Sequence, residues 1–190
     1  ALKSLREKWQ AEGEKWPPIV HHMQNRIGIH TGPMVTGNMG STQRMNYTMM
    51  GDTVNLAARL ESACKQYGIY THISEDTCNP IKQNIIVREL DRIKVVGKET
   101  PVTTYELLAL KGEESKSLIE LLESFAEGLS YFRNQEWEQA KFIFMSTDKL
   151  EDMFAGRKTN PSRVYIERCD YYQKHPPVKD WDGVTKLTKK

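Results

Sequence analysis

Apolar and polar positions alternate differently in the two halves of the chain. Between residues 26 and 108, short apolar stretches rich in β-branched residues are separated by turns that contain glycine or proline, a pattern typical of β-strands. We predict strands at residues 26–30, 34–39, 45–49, 69–73, 85–90, 93–96 and 102–107. Thr31-Gly32-Pro33 is predicted to turn the chain so that the second strand returns along the first.

One helical pattern interrupts these strands, at residues 53–67. Five apolar or weakly polar side chains recur at helical spacing on one face of it: Leu56, Leu60, Ala63, Cys64 and Tyr67. Asp52 is predicted to cap the beginning of this helix, and Gly68 to end it. Strands and a helix packed together predict an α+β sandwich.

The pattern becomes helical at both ends of the chain. Residues 2–16 form a predicted surface helix that ends at Pro17-Pro18. After a polar linker at residues 111–115, we predict helices at 116–134, 136–153 and 161–174, followed by an irregular strap. These changes predict two units, one at residues 1–110 and a helical extension with a tail at 111–190.

Composition narrows the class of protein. Of the 190 residues, 38% are hydrophobic and 27% charged, which is typical of a soluble globular chain. The net charge of +2 gives no electrostatic reason to expect nucleic acid or a membrane surface as a partner. Cys64, Cys78 and Cys169 are odd in number and far apart, so we expect no disulfide framework, no thiolate zinc site and a cytoplasmic setting.

Candidate chemistry lies near the beginning of the 53–67 helix. Asn55 and Arg59 are four residues apart, so they share a face close to a helix N-terminus, where free N–H groups favour anions. An amide and a guanidinium here would suit a phosphate and a neighbouring sugar oxygen. A polar face without function explains the same spacing, and both interpretations stay open. The spacing of Gly32, Gly37 and Gly40 fits neither a dinucleotide fingerprint nor a P-loop, which favours hairpin hinges.

Three longer motifs favour a phosphate-binding face at Asn55 and Arg59 over a polar face without function. They are RIGIHTG at residues 26–32, GNMGS at 37–41 and YTMMGDTVNLAARLE at 47–61, followed by the segment VGKETPV at 96–102. Together they resemble the second half of class III adenylate and guanylate cyclases over roughly residues 1–108. The resemblance implies a ferredoxin-like, cyclase-type sandwich. It also implies conversion of ATP to 3′,5′-cyclic AMP and pyrophosphate in intracellular signal transduction, at the interface of a homodimer.

The resemblance also implies roles for individual residues. Asn55 matches the family's asparagine that positions the ribose or stabilises the transition state, and Arg59 matches the arginine that neutralises triphosphate charge. Thr48 matches the purine-reading position, and threonine there favours ATP over GTP. Lys98 falls in the loop that supplies a phosphate-binding lysine, and Arg44 is a weaker phosphate-binding candidate.

The resemblance does not extend to metal ligands. The family holds two Mg²⁺ or Mn²⁺ ions with two aspartates that lie upstream of the strand beginning at Arg26. The acidic residues upstream of it here are Glu7, Glu12 and Glu14, and none matches. We therefore expect the metal ligands upstream of this sequence and expect residues 1–190 alone to be inactive. Two alternatives remain, a guanylate cyclase and a non-catalytic cyclase-homology module that binds nucleotide or a protein partner.

The helical extension has a resemblance of its own. Gly128, Tyr131, Ala140 and Phe144 have the spacing of a single tetratricopeptide repeat. Since one repeat cannot bury its own apolar face, the extension is either an intramolecular brace or a docking surface for another protein. The brace is favoured, because HPPVKDWDG at residues 175–183 resembles an extension that recurs in bacterial cyclases of this type.

Overall fold

The computed structural model describes residues 2–94, 100–151 and 157–186. The fold is mixed α+β, as predicted. Its helices are α1 (Leu2–Ala11), α2 (Pro18–His21), α3 (Asp52–Tyr67), α4 (Glu75–Cys78), α5 (Lys116–Arg133), α6 (Trp137–Leu150) and α7 (Pro161–Lys174). Its strands are β1 (Ile27–Ile29), β2 (Val35–Ser41), β3 (Arg44–Met50), β4 (Thr71–Ser74), β5 (Ile85–Lys94), β6 (Val102–Leu110) and β7 (Val184–Lys186).

Five strands form one sheet in the order β1-β4-β6-β5-β7, and β2 and β3 form a separate antiparallel hairpin. The predicted return of the second strand along the first is therefore wrong. β1 instead pairs in parallel with β4, and β2 pairs with β3. Pairing with β4 places β1 directly against α3, where a Cβ on Gly28 would lie 2.2 Å from the carbonyl oxygen of Ala57. This long-range packing, and not the turn after β1, determines the partner of each strand.

The region predicted as two strands at 85–90 and 93–96 is one strand, β5, which runs without a break to Lys94. Residues 95 and 96 lie outside the described part of the chain. Asp91 lies within this strand, although aspartate is depleted in strands. It is tolerated here because its buried carboxylate accepts a hydrogen bond from the Tyr67 hydroxyl at 2.5 Å, and the register shifts between Glu89 and Asp91.

Helix α3 has the predicted extent and buried face. The five predicted side chains are all buried: Leu56, Leu60, Ala63, Cys64 and Tyr67. Asp52 is not the N-cap, because Gly51 takes that place and Asp52 is the first helical residue. A carboxylate in the first turn is still favourable, since it faces the positive end of the helix dipole. Gly68 ends the helix in the left-handed conformation, as predicted, with a φ of 66°.

The N-terminal helix is shorter than predicted. α1 ends at Ala11, a 3₁₀ turn follows at Gly13–Lys15, and Pro18 begins the short helix α2. Gly13 adopts a φ of 60°, which ends the regular helix before the prolines are reached. Proline is tolerated in the first turn of a helix because its missing N–H has no intrahelical acceptor there.

The helical extension packs on the sheet through apolar contacts. Its own core consists of Phe125, Leu129, Phe132, Ala140, Phe144, Tyr165 and Cys169. Val164 packs against the cluster that contains Ala63 and Tyr67 of α3, and the Tyr165 hydroxyl donates to the carbonyl oxygen of Leu90 at 2.5 Å. The extension therefore makes the intramolecular contacts that the brace interpretation requires.

A buried network of four charged side chains also joins the sheet to the extension. Arg88 of β5 contacts Glu106 of β6 and Glu151 at the end of α6, each at 2.5 Å. Arg157 reaches the other carboxylate oxygen of Glu106 at 2.6 Å. No member of this network has more than 6% of its side chain exposed, so the charges are balanced within the protein and not by water.

The tail differs from the predicted irregular strap in one respect. Residues 184–186 form β7, which pairs in parallel with Arg92–Lys94 at the edge of the sheet. Trp181, just before this strand, packs against Phe132, Trp137 and Tyr172. None of the described helices is both long enough and apolar enough to cross a membrane.

Candidate active site at the junction of β3 and α3

The candidate residues lie around the point where the β2–β3 hairpin joins helix α3. β3 ends at Met50, Gly51 has a φ of 140°, and α3 begins at Asp52. A side chain at Gly51 would be strained at this φ, so glycine allows the strand to enter the helix without a longer loop. The junction places the last residues of β3 next to the first turns of α3.

Asn55 and Arg59 lie on the first two turns of α3. Asn55 is exposed and Arg59 is partly buried, whereas Leu56 and Leu60, which directly follow them in the sequence, face the core. The backbone N–H of Asn55 donates to the carbonyl oxygen of Gly51 at 3.2 Å, so the helical hydrogen bonds begin here. The N–H groups of the preceding first turn have no helical acceptors, and they add positive potential beside the two side chains.

Thr48 lies on β3, three residues before the junction, and is exposed. It pairs across the hairpin with Gly37, so the two residues share one face of it. A Cβ placed on Gly37 would meet no atom within 4 Å. The face of the hairpin that carries Thr48 is therefore open at Gly37.

Of the other two candidates, Arg44 is not brought to this junction. Arg44 begins β3 at the turn end of the hairpin, opposite Ser41, about 20 Å along the strand from Met50 at the usual rise per residue. Lys98 lies outside the described residues. Of the four predicted site residues that the structure describes, three lie around this junction: Thr48, Asn55 and Arg59.

The hairpin itself exposes an apolar surface. Six large apolar side chains on the hairpin or directly before it are between 51% and 74% exposed: Met34, Val35, Met45, Tyr47, Met49 and Met50. Val35 and Met50 lie on the same face of the hairpin as Thr48, and Met45, Tyr47 and Met49 lie on the opposite face. Large apolar side chains exposed next to a polar site are typical of an interaction surface. The hairpin surface, as we call these six residues, adjoins the Thr48 face of the candidate site.

The described residues do not fit a divalent metal. They contain no group of three or more histidine, cysteine, aspartate or glutamate side chains that could hold an ion. Asp52 is near the junction, but a single carboxylate does not make a magnesium site, which needs several oxygen ligands in octahedral geometry.

Two histidines near the candidate site have structural partners. His30 is 3% exposed, and its Nδ1 lies 2.7 Å from the Ser74 hydroxyl, which ties the end of β1 to β4. The Nδ1 of His72 lies 3.1 Å from the carbonyl oxygen of Leu60 on α3. Burial lowers the pKa of His72 to about 4, so it is neutral at physiological pH and its Nδ1–H donates to that oxygen.

Sequence reasoning missed a polar cluster at the C-terminal end of α3. The Asp91 carboxylate accepts hydrogen bonds from Tyr67, from Arg168 at 2.7 Å and from Thr185 at 3.2 Å. Burial makes the largest contribution to raising the pKa of Tyr67, and the negative charge of Asp91 raises it further. The Tyr67 hydroxyl therefore stays protonated and donates. These residues come from α3, β5, α7 and β7, so no local pattern could have grouped them. The one available signal was an aspartate within an apolar strand.

The comparisons with known proteins agree with this architecture. The family model described as the adenylate and guanylate cyclase catalytic domain matches residues 4–109. The chain therefore belongs to the class III adenylate and guanylate cyclase family. Members of this family are lyases that make cyclic nucleotides, and their catalytic domains bind a nucleotide substrate and work as dimers.

The relatives include both kinds of cyclase. The terminal-differentiation-specific adenylate cyclase of Dictyostelium discoideum is 29% identical over 151 residues, which cover 77% of this chain and 7% of that protein. Adenylate cyclase 1 of Rhizobium meliloti is 39% identical over 87 residues, which cover 46% of this chain and 13% of that protein. Guanylate cyclases match as well, at 36% and 39% identity.

Solved cyclase structures are also similar. The adenylyl cyclase CyaB from P. aeruginosa is 36% identical, with a TM-score of 0.45 over 60% of this chain and 55% of that one. The chain spans less than a fifth of the length of the curated relatives that it matches.

Proposed function

We propose that this chain is part of an adenylate cyclase that converts ATP to 3′,5′-cyclic AMP and pyrophosphate in cytoplasmic signal transduction. The observation that carries the proposal is the grouping of Thr48, Asn55 and Arg59 around one strand–helix junction, in a chain of the cyclase family. Each of the three has an exposed or partly exposed side chain, so none of them is enclosed in the core, away from a ligand.

In the proposed reaction the ribose 3′-oxygen attacks the α-phosphorus. The new O3′–Pα bond forms as the bond from Pα to the bridging oxygen of the β-phosphate breaks, and the 3′-hydroxyl loses its proton to solvent or a base. Such a reaction needs positioning and neutralisation of charge more than covalent help from the protein. Arg59 would neutralise triphosphate charge, and the Asn55 amide would orient the ribose.

Class III cyclases are generally dependent on divalent metals. We propose that Mg²⁺ or Mn²⁺ serves here too, held by ligands outside the described residues, because those residues do not fit an ion. The same observation favours the second candidate function, a non-catalytic cyclase-homology module that binds nucleotide or a protein partner.

We propose further that the site is shared between two copies of the chain. The hairpin surface is apolar and exposed in one chain, so a second copy would remove it from water. Arg44 at the turn end of the hairpin is remote from its own α3, and a dimer would allow it to reach the phosphates bound by the partner. A homodimer therefore explains both the exposed surface and the separation of the candidate residues.

The substrate and the extension complete the proposal. ATP, not GTP, is proposed because a threonine hydroxyl at residue 48 can both donate to and accept from the adenine edge. We propose that the chain divides into two units at residue 110. The extension would be tetratricopeptide-like and would act as a brace. Its contacts with β5 and β6 support that role.

The test uses the longer protein that we propose carries this chain. Arg59→Ala should lower kcat by about 10²-fold, comparable to the loss of one preorganised donor to developing charge. Asn55→Ala should lower kcat more than it raises KM, because its contact is made mainly in the transition state. Cyclic AMP is measured over a range of ATP concentrations.

Two variants serve as controls for this test. Gln66→Ala changes an exposed amide on the same helix, and Arg163→Ala removes an exposed guanidinium from α7. Both should keep near wild-type rates. If Asn55→Ala and Arg59→Ala were equally active, the beginning of α3 would be a scaffold and the proposed site would be wrong.

A further inference from the structure

A cleft of about 540 Å³ lies on the side of α3 that faces the extension. Three segments line it: residues 24–27 before and at the start of β1, the C-terminal half of α3 with residues 68–70, and residues 157–159 between α6 and α7. We call it the Lys65 cleft, after a lysine on α3 that lines it. Neither the cyclase motifs nor the proposed catalytic residues include its lining, apart from Arg26, Ile27 and Glu61.

The walls of the Lys65 cleft are held in place by buried contacts. The Arg157 side chain is 6% exposed, contacts Glu106 at 2.6 Å, and lies with its guanidinium carbon 5.0 Å from the centre of the Tyr70 ring. The next residues pack on the end of α3, where a Cβ on Gly68 would lie 2.0 Å from the carbonyl oxygen of Thr159. Both walls therefore keep their shape without a ligand, which lowers the entropy lost on binding.

The charge of the lining decides which ligand it suits. Four basic side chains and one acidic one line the cleft: Arg26, Lys65, Arg157, Lys158 and Glu61. Arg26 pairs with Glu61 at 3.0 Å, and Arg157 is balanced by Glu106 behind the wall. Lys65 and Lys158 are exposed, and in the described part of the chain neither has an acidic side chain within ion-pairing distance.

The positive charge of the Lys65 and Lys158 ammonium groups exceeds the negative partial charge at the C-terminal end of α3. The C-terminal end of α3 points towards the cleft and contributes roughly half a negative charge, against two full positive charges. Neutral donors lie beside them, since the amides of Gln24 and Asn25 also line the cleft. Tyr70 also lines the cleft, and its hydroxyl is shielded from solvent and has no hydrogen-bond partner among the described residues.

We propose that the Lys65 cleft binds a small anion with a phosphate chain, no larger than a nucleotide, and that Lys65 and Lys158 are its cationic ligands. The bound anion would touch both α3 and the segment between α6 and α7. If the proposed function holds, binding there joins the extension to the helix that carries Asn55 and Arg59. Binding itself does not depend on catalysis.

The first experiment measures binding of inorganic tripolyphosphate to residues 1–190 by isothermal titration calorimetry. The double variant Lys65→Gln/Lys158→Gln should raise the dissociation constant about tenfold or more, because it removes two charged donors. Lys111→Gln/Lys116→Gln is the matched control, since it removes two exposed lysines elsewhere, and its dissociation constant should stay within twofold of wild type. Failure of wild type to bind, or equal binding by the Lys65→Gln/Lys158→Gln variant, would overturn the proposal.

A second arm separates this cleft from the proposed nucleotide site. In the Arg59→Ala background, tripolyphosphate should still bind, and Lys65→Gln/Lys158→Gln should weaken it by the same factor. If Arg59→Ala abolished binding and the lysine variants did not, the anion would occupy the nucleotide site and the cleft proposal alone would be wrong. Titration with ATP in the Arg59→Ala background then identifies the source of the phosphate chain. Binding of ATP that depends on the lysines indicates a nucleotide, and binding of tripolyphosphate alone indicates an inorganic polyanion.

Discussion

At the scale of single residues, Asn55 and Arg59 depend on little beyond their own helix. Their spacing of four residues places them on one face, and the buried Leu56 and Leu60 orient that face away from the core. Thr48 is different, because its position relative to them depends on the conformation of Gly51. Of the properties that depend on single residues, base selectivity is therefore the most sensitive to the backbone conformation at Gly51.

Thr48→Ala should reduce the preference for ATP over GTP while leaving cyclase activity measurable. A site built on hydrogen bonds rejects the wrong base because buried polar groups are left unpaired, at about 1–3 kcal/mol each. We expect the longer protein to prefer ATP about tenfold or more, and the variant to fall well below that ratio. The measurement is kcat/KM for both nucleotides. A wild-type preference for GTP would make the chain part of a guanylate cyclase and leave the fold unaffected.

His72 gives the stability of the chain a pH dependence. Burial lowers its pKa to about 4 in the folded protein, below its ordinary value of 6.5, so the unfolded chain binds the proton more tightly. The free energy of unfolding should therefore fall as the pH drops from about 6.5 to 4, by up to about 3 kcal/mol. Urea unfolding at several pH values measures this change.

The variant His72→Gln should lose this part of the pH dependence, and His22→Gln, which changes an exposed histidine, should keep it. A slope that is the same in wild type and in His72→Gln would show that other groups titrate in this range. The sign is decided by the direction of the pKa shift, since stabilisation is complete only above the unfolded value.

At the scale of elements, the helical extension is joined to the sheet by buried charges as well as by apolar contacts. Arg88, Glu106, Glu151 and Arg157 form a network in which two positive and two negative side chains are removed from water. Such a network gives little net stability relative to an apolar core, but removal of one member leaves an uncompensated charge. The network therefore makes the stability of the chain sensitive to the loss of any one of these side chains.

Glu151→Gln tests this dependence. The variant keeps the size of the side chain but leaves Arg88 and Arg157 with one carboxylate, and we expect the free energy of unfolding to fall by about 3–5 kcal/mol. Glu113→Gln removes the same charge from an exposed linker residue and should change the stability by less than about 0.5 kcal/mol. Chemical denaturation provides both numbers. A loss below about 1 kcal/mol for Glu151→Gln would show that the extension docks without the network.

At the scale of the whole molecule, we propose that the metal ligands lie on a different part of the protein from the catalytic residues. The described residues contain no group that could hold a divalent ion, and the hairpin surface is exposed. Residues 1–190 should therefore form no cyclic AMP with ATP and either Mg²⁺ or Mn²⁺. The assay uses the purified chain, and the longer protein is the positive control. Turnover by residues 1–190 alone would show that the metal ligands were placed wrongly.

The sequence by itself determined much of what depends on near neighbours in the chain, but not the N-cap of α3 or the end of α1. Helix α3, its buried face and its end at Gly68 follow from periodicity and one glycine, and the three helices of the extension follow in the same way. The family, and the position of Asn55 and Arg59 on one face of α3, could also be predicted from the sequence, because both rest on continuous motifs. These features involve interactions over a few residues, which a linear pattern records directly.

Only the tertiary structure decided which distant segments meet. β1 pairs with β4 and not with β2, Asp91 lies within β5 because Tyr67 and Arg168 satisfy its carboxylate, and β7 joins the sheet edge. It also separated Arg44 from the junction by the length of a strand. Strand partners and buried charges are chosen by packing and desolvation between residues far apart in the chain. The local pattern of hydrophobic and polar positions carries no record of these interactions.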